Sequence, residues 1–495
     1  MRTRPRSPVA GSAAVVAVAT DPADLTREAL SRLPGCVTDL EVRADTTGDP
    51  DPAAIRRWFS GRLVYTLRGG YTNRGIRLRD AARRGYDLVD LEADRDLVDA
   101  TLAAIPAQRR RVSWCGAATS LPELRERFAA MARTPAALYL LAPRADAPAT
   151  ALAPLRLLTA LQRTDVTAYA SGPAGAWTRL LAPFLGAPVV SGHVSAPAAG
   201  GLPSVHALVR DYGFPALPPL RGLYGIVARS LHTPLFPRLA NAALRELGLP
   251  DLLLPFPIPD VDTFLDGFWP ELGAGGTDAL GFPLRGLTVA APYKDAALLA
   301  ADLASLPASR VRAANLLLRR GDRWRAETTD GTAAVGALLT VAGGRRTLAR
   351  TPVAVVGCGG TGRSVALALR AAGARVTLVN RGEGRGRYAA RLLGLDHVAL
   401  HRFAPQRYPV VVHATPVHEE LPFNVEALPQ HATVVDFVCA AEPTALANAA
   451  RARGLTIVDG REILARELGA QFRLLTGHPL PPVGQLTGRA PVSPR

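Results

Sequence analysis

Short apolar, β-rich runs recur at roughly 25-residue spacing through the first 195 residues, with helical patterns between them. The runs are Ala13–Thr20, Val37–Arg43, Leu63–Arg68, Leu88–Glu92, Arg111–Cys115, Ala137–Ala142, Val166–Ser171 and Val189–Val194. Repeated βα units of this number predict a closed (β/α)8 barrel, so the first fold class expected is α/β. The opening run follows several arginines and resembles a signal peptide, but it is short, valine-rich and without an evident cleavage site, so it reads as the first core strand.

At 495 residues the chain exceeds what one core supports, and further units must follow. The barrel is assigned to 1–212, a proline-rich linker to 213–221, an α/β segment to 222–340, and a second α/β unit to 341–460. A helix over 461–475 is expected to return to the 222–340 segment, and the Pro-, Gly- and Arg-rich tail 480–495 to be mobile. No apolar run reaches about eighteen residues, so neither a spanning helix nor a membrane partner is expected. Cys36, Cys115, Cys358 and Cys439 have no paired spacing, which points to a reducing cytoplasm and to no metal site. The formal charge of +16 raises a nucleic-acid reading through Arg109, Arg110 and Arg111. No basic helix or motif organises these arginines, so no nucleic-acid partner is expected.

Among 58 basic residues, Lys294 is the only lysine. Arginine stays protonated at any ordinary pH, whereas a lysine can lose and regain a proton, so this position is marked for acid–base work.

The strand Val353–Val356 runs into Gly357-Cys358-Gly359-Gly360-Thr361-Gly362 and a helical pattern over Arg363–Ala372, with a second strand at Arg375–Val379. Glycines there let the backbone approach a pyrophosphate at a helix N-terminus. Asn380-Arg381 stands where an NAD-selective site would place a carboxylate, and Arg381 with Arg385 offers guanidinium forks for a 2′-phosphate. The expected cofactor is NADP, held by Gly357, Gly359, Gly360, Thr361, Gly362, Asn380, Arg381, Arg385 and Thr415 in a Rossmann domain.

Across nearly all of 222–479 the sequence resembles shikimate dehydrogenase. The matching pieces are Gly286 to Lys294, Ala313-Ala314-Asn315, Thr328-Thr329-Asp330, the glycine loop, Asn380-Arg381, His413-Ala414-Thr415-Pro416, and Gln471-Phe472 through Thr476-Gly477. The resemblance implies that Lys294 and Asp330 are the catalytic pair between substrate and cofactor domains. It implies substrate contacts from Asn315, Thr288, Glu467 and Phe236. The pocket departs from the family: its carboxylate-clamping serines fall at Pro234 and Phe236, a histidine at Ala240, a threonine at Ala290, an asparagine at Thr288 and a glutamine at Glu467. A carboxylate entering here loses charged hydrogen bonds of about 1.5–3 kcal/mol each. An ionised Glu467 is expected to repel carboxylates and to receive an amine or an added hydroxyl, which argues for a substrate other than shikimate.

Residues 12–210 resemble type I dehydroquinate dehydratase, with Glu41-Val42-Arg43, Arg68, Leu91-Glu92 and Arg179 at matching places. That family works through a lysine Schiff base aided by a histidine; here those positions are Leu140 and Cys115, and Thr72 and Gly201 replace a glutamate and a glutamine. The barrel contains no lysine, so the Schiff-base route is excluded. Glu41, Arg43, Arg68, Cys115, Leu140 and Arg179 form a vestigial site that either binds an anion or has become structural ion pairs.

The expected function is NADP-dependent hydride transfer to or from a small cyclic polyol or hydroxy acid, in specialised metabolism. A competing reading is a non-catalytic metabolite sensor or scaffold, which would have little reason to retain Lys294 together with Asp330. A homodimer is one assembly left open.

Overall fold

The computed structural model describes residues 11–117, 120–195, 203–229, 235–341, 348–440 and 442–482. Pro234, Gly201 and most of the 480–495 tail therefore lie outside the described residues. The chain forms two compact units, the first made of Met1–Leu223, Pro237–Ile258 and Asp266–Leu284, the second of Tyr224–Phe236, Pro259–Leu265 and Arg285–Arg495.

In the first unit the eight apolar runs become eight strands: Ala14–Ala19, Val37–Arg43, Arg62–Thr66, Leu88–Glu92, Arg110–Trp114, Leu138–Leu141, Val166–Ala168 and Val189–His193. Each pairs in parallel with its sequence neighbour from the first to the seventh, and the eighth returns to the first. The expected closed barrel is nearly closed. The seventh strand is only three residues long, and among the described residues no ladder joins it to the eighth. Ala14–Ala19 lies between two neighbours and is buried along almost its whole length, which fits a core strand.

Segments beyond the barrel join the same unit through aromatic and ionic packing. The Phe256 ring meets Trp177 edge-on at 5.2 Å, and Arg156 pairs with Glu271 at 2.6 Å.

In the second unit, strands Gly222–Ala228, Leu284–Val289, Leu316–Arg320, Arg323–Glu327 and Leu303–Ala304 follow one another in a mixed sheet. A separate parallel sheet has the order Asp396–Ala399, Arg375–Asn380, Pro352–Val356, Val410–His413, Thr433–Asp436, Thr456–Val458. This is the doubly wound dinucleotide-binding order, in which the first and fourth strands diverge beneath the glycine loop. Val353, Val355, Val411 and Val412 are fully buried, as expected of strands covered on both faces. The helix after the loop spans Gly360–Ala371, starting three residues earlier than the sequence pattern suggests. The last helix, Gly460–Thr476, packs back on the mixed sheet, where Tyr224 Oη donates to Leu475 O at 3.1 Å.

Candidate active site

Lys294 opens the helix Lys294–Ala300 directly after the strand Leu284–Val289 and its short connection. Its Nζ donates to Asp330 Oδ2 at 2.6 Å and to Thr361 Oγ1 at 2.6 Å. Asp330 heads the helix Asp330–Val341 and is buried. Its second oxygen accepts from Asn315 Nδ2 at 2.6 Å. Asn315 is fixed in turn, because its Oδ1 accepts from the Thr329 backbone N–H at 2.9 Å. Both oxygens of Asp330 are thus committed to named donors, which holds the ammonium in one place. Thr361 belongs to the glycine loop, so the same lysine reaches the dinucleotide site.

The loop glycines have separate reasons. Gly357 has φ +112°, and a Cβ there would meet Ala414 O at 2.6 Å. A Cβ on Gly362 would lie 1.9 Å from Gly357 O, so only glycine lets the helix close on the strand. A Cβ on Gly359 would meet nothing within 4 Å; the loop faces open space there, at the N-cap of Gly360–Ala371. The first-turn N–H groups of that helix have no intrahelical partners and suit a pyrophosphate. Asn380 braces the loop, accepting from Cys358 N at 3.2 Å and donating to Gly382 O at 2.8 Å. Arg381 and Arg385 are exposed and carry no hydrogen bond or ion pair among the described residues, which leaves both guanidinium groups free for a phosphate. Thr415 Oγ1 lies 2.5 Å from His413 Nε2, while His413 Nδ1 lies 3.0 Å from the buried Asp436. Burial pushes the Cys358 thiol up to about 11. The residues present fit a bound dinucleotide.

On the substrate side, Thr288 Oγ1 donates to Gln471 Oε1 at 2.8 Å, and Gln471 Nε2 donates to Thr329 Oγ1 at 3.1 Å. Gln471 and Thr329 are thus part of the site's frame, a role the matching motifs did not assign them. The signal was available, since Gln471 stands four residues after Glu467 on one helix face. Glu467 itself behaves otherwise than expected. Burial, followed by the Asp330 charge, raises its carboxyl well above the ordinary range, which works against the anion expected to repel a carboxylate. Phe236 is buried in the helix Leu235–Glu246.

In the barrel, Glu41 and Arg68 are drawn into a buried ionic network built around Arg111. Arg111 donates from both terminal nitrogens to the Glu41 carboxylate at 2.8 Å and from Nε to Asp90 at 2.5 Å. Arg68 pairs with Asp90 at 3.1 Å and donates to Ser113 Oγ at 2.8 Å. Burial works against the Glu41 anion, yet the Arg111 guanidinium brings its carboxyl down to about 2. Arg43 pairs with Asp45 at 2.7 Å, and Arg179 lies 4.1 Å over the Tyr169 ring with Ser191 Oγ 3.2 Å away. Leu140 is buried, and desolvation raises the Cys115 thiol against the pull of Arg68. Arg109 and Arg110 donate to backbone carbonyls, including Ala82 O and Ile105 O, so this basic run is built into the barrel wall. Among the described residues no helix is long and apolar enough to cross a membrane, and no His, Cys, Asp or Glu group is arranged to hold a metal.

The model of the type I 3-dehydroquinase family matches residues 68–216. The shikimate dehydrogenase (NADP(+)) of Thermococcus kodakarensis is 32% identical over 279 residues, taking in 54% of this chain and 95% of that protein. The bifunctional 3-dehydroquinate dehydratase/shikimate dehydrogenase, chloroplastic, of Arabidopsis thaliana is 27% identical over 311 residues, 59% of this chain. That match spans about half the relative's length, 49%. A solved shikimate 5-dehydrogenase of Thermus thermophilus, in complex with NADP(H) and shikimate, has a TM-score of 0.47 at 31% identity, covering 54% of this chain and 97% of that one. This chain belongs to the shikimate dehydrogenase family and carries that module fused to a type I 3-dehydroquinase-like domain.

Proposed function

We propose that the chain is an NADP-dependent oxidoreductase that interconverts a cyclic, shikimate-related alcohol and its ketone, with an altered ring as substrate. The observation that carries this reading is the Lys294 ammonium held 2.6 Å from both Asp330 and the loop residue Thr361. NADP bound at the loop supplies the hydride acceptor, and its reduced form the donor. In the reducing direction, Lys294 Nζ stabilises the growing charge on the substrate oxygen and delivers the proton; in the oxidising direction it takes the hydroxyl proton. Asp330 orients the ammonium, and Arg381 with Arg385 selects the 2′-phosphate. The substitutions at Pro234, Phe236, Ala240 and Ala290 favour a substrate other than shikimate, and an amino-substituted ring of a specialised pathway suits them. The barrel, without any lysine and with Leu140 and Cys115 at the Schiff-base positions, does not run that dehydration.

The test follows reduced-nicotinamide formation with NADP and a panel of shikimate, quinate and amino-substituted ring alcohols. Turnover of an altered ring alcohol, lost in Lys294→Met, is the expected result. Strong turnover of shikimate would overturn the altered-ring assignment, and NADP binding with no turnover across the panel would overturn the enzyme reading.

A further inference from the structure

Two adjacent residues of the loop helix Gly360–Ala371, Arg363 and Ser364, are each 3% exposed. A guanidinium cannot give up its charge, so a buried one needs acceptors around its nitrogens. Arg363 has four. Its Nε donates to Val311 O at 2.7 Å and its Nη1 to Cys358 O at 3.2 Å; Nη2 donates to Arg312 O at 3.2 Å and to Asp295 Oδ1 at 2.6 Å. Cys358 belongs to the glycine loop, and Asp295 follows Lys294 on the helix Lys294–Ala300. Val311 and Arg312 close the helix Leu306–Val311, whose last carbonyls have no donor within the helix. From there the chain runs through Ala314, whose N–H donates to Lys294 O at 2.8 Å, into Asn315. Ser364 holds the carboxylate side: its Oγ accepts from the Gly331 N–H at 3.1 Å and lies 2.8 Å from Thr328 Oγ1. Gly331 packs so closely that a Cβ there would run into Ser364 O.

We infer that Arg363 and Ser364 are positioning residues of the hydride-transfer site: Arg363 registers Lys294 through Asp295 and the Val311–Arg312 turn, and Ser364 registers Asp330 through Gly331 and Thr328. The helix that carries the glycine loop thereby also sets the spacing of ammonium and carboxylate. The inference rests on the dehydrogenase reading and deepens it. Both side chains are buried and engaged within the protein, so their loss is expected in kcat and not in cofactor affinity.

The experiment uses the full chain with Asp295→Ala and Ser364→Ala. The Asp295 side chain is 63% exposed, so its truncation removes an anchor of Arg363 without opening a cavity. Lys294 is the only lysine, so the acylation rate of its amine by a succinimidyl acetate, followed by peptide mass spectrometry, reports on the site without any substrate. In the wild type the ammonium is held by Asp330 and Thr361, and each variant is expected to acylate about threefold faster or more as that hold loosens. On the substrate the panel identifies, kcat is expected to fall about three- to tenfold, while calorimetric titration finds the NADP Kd within about twofold of wild type. Asp295→Glu, which keeps the carboxylate, should restore most of the kcat lost in Asp295→Ala. Wild-type acylation rates in both variants would overturn the inference, as would a loss of NADP affinity that matches the loss of kcat. Faster acylation without turnover of any ring alcohol would support the positioning role and sink only the dehydrogenase reading.

Discussion

Gly360 lies so close to Lys294 that a Cβ at position 360 would sit 3.0 Å from the lysine Cβ and 3.3 Å from its Cδ. Ala313 Cβ, also 3.0 Å away, closes the other direction of retreat. The glycine loop and Lys294 are therefore packed against each other, and Gly360→Ala requires its neighbours to give by a few tenths of an ångström. A misplacement of about 1 Å costs up to about a hundredfold in rate, and this smaller shift of the lysine a fraction of that, so kcat is expected to fall about three- to tenfold. Steady-state kinetics with saturating NADP checks this, and an unchanged kcat would show that the junction yields without cost.

Arg381 is exposed and unpaired among the described residues, at the end of the strand Arg375–Asn380. A guanidinium fork on a 2′-phosphate contributes about 1.5–3 kcal/mol, so Arg381→Ala should weaken NADP by about ten- to a hundredfold. NAD has no such phosphate, and its affinity should change by less than about threefold. Calorimetric titration of both cofactors separates the cases; equal losses would assign Arg381 to the loop's structure.

The sequence was most legible where local pattern decides the outcome. All eight apolar runs became strands, and the strand–glycine–helix unit folded where the spacing put it. The lysine count and the family motifs brought Lys294, Asp330 and Asn315 together, as the hydrogen bonds among them now show. Two features depended on neighbours that no window of sequence contains. Arg111 was read as one of three clustered cations, yet it is buried against Glu41, seventy positions away, because strands two and five face one barrel interior. Glu467 was read as an anion from its side-chain type, whereas burial, followed by the charge of Asp330 from 137 positions earlier, raises its carboxyl well above the ordinary range, and neither influence is visible in a window of sequence.

The Glu41 carboxyl gives the barrel a defined acid sensitivity. Its folded-state value, about 2, lies below the ordinary 4.5, so the ion pair contributes stability above the ordinary value and loses it as pH falls toward 2. A depression of this size corresponds to about 3 kcal/mol. Chemical unfolding of wild type and Glu41→Gln should differ by that order at neutral pH, with the difference shrinking between about pH 4.5 and 2. A difference that holds constant through this window would mean that Arg111 draws its stabilisation from Asp90 alone.

Removing the cation is the sharper perturbation. Arg111→Leu leaves Glu41 and Asp90 buried without their shared partner; Asp90 keeps its ion pair with Arg68 at 3.1 Å, while Glu41 keeps only the Thr66 hydroxyl at 2.9 Å and the more distant charge of Arg68. Breaking one side of a buried pair costs about 3–5 kcal/mol, because the stranded charge remains desolvated. Replacing the whole cluster with Glu41→Leu, Asp90→Leu and Arg111→Leu should recover much of that loss, since apolar side chains of similar volume carry no such penalty. Urea unfolding of the single and triple variants measures both. If the single variant is destabilised and the triple is not, the network is a structural core that has replaced a ligand site. Equal destabilisation of the two would mean that these polar groups specify the barrel's packing in a way hydrophobic burial cannot.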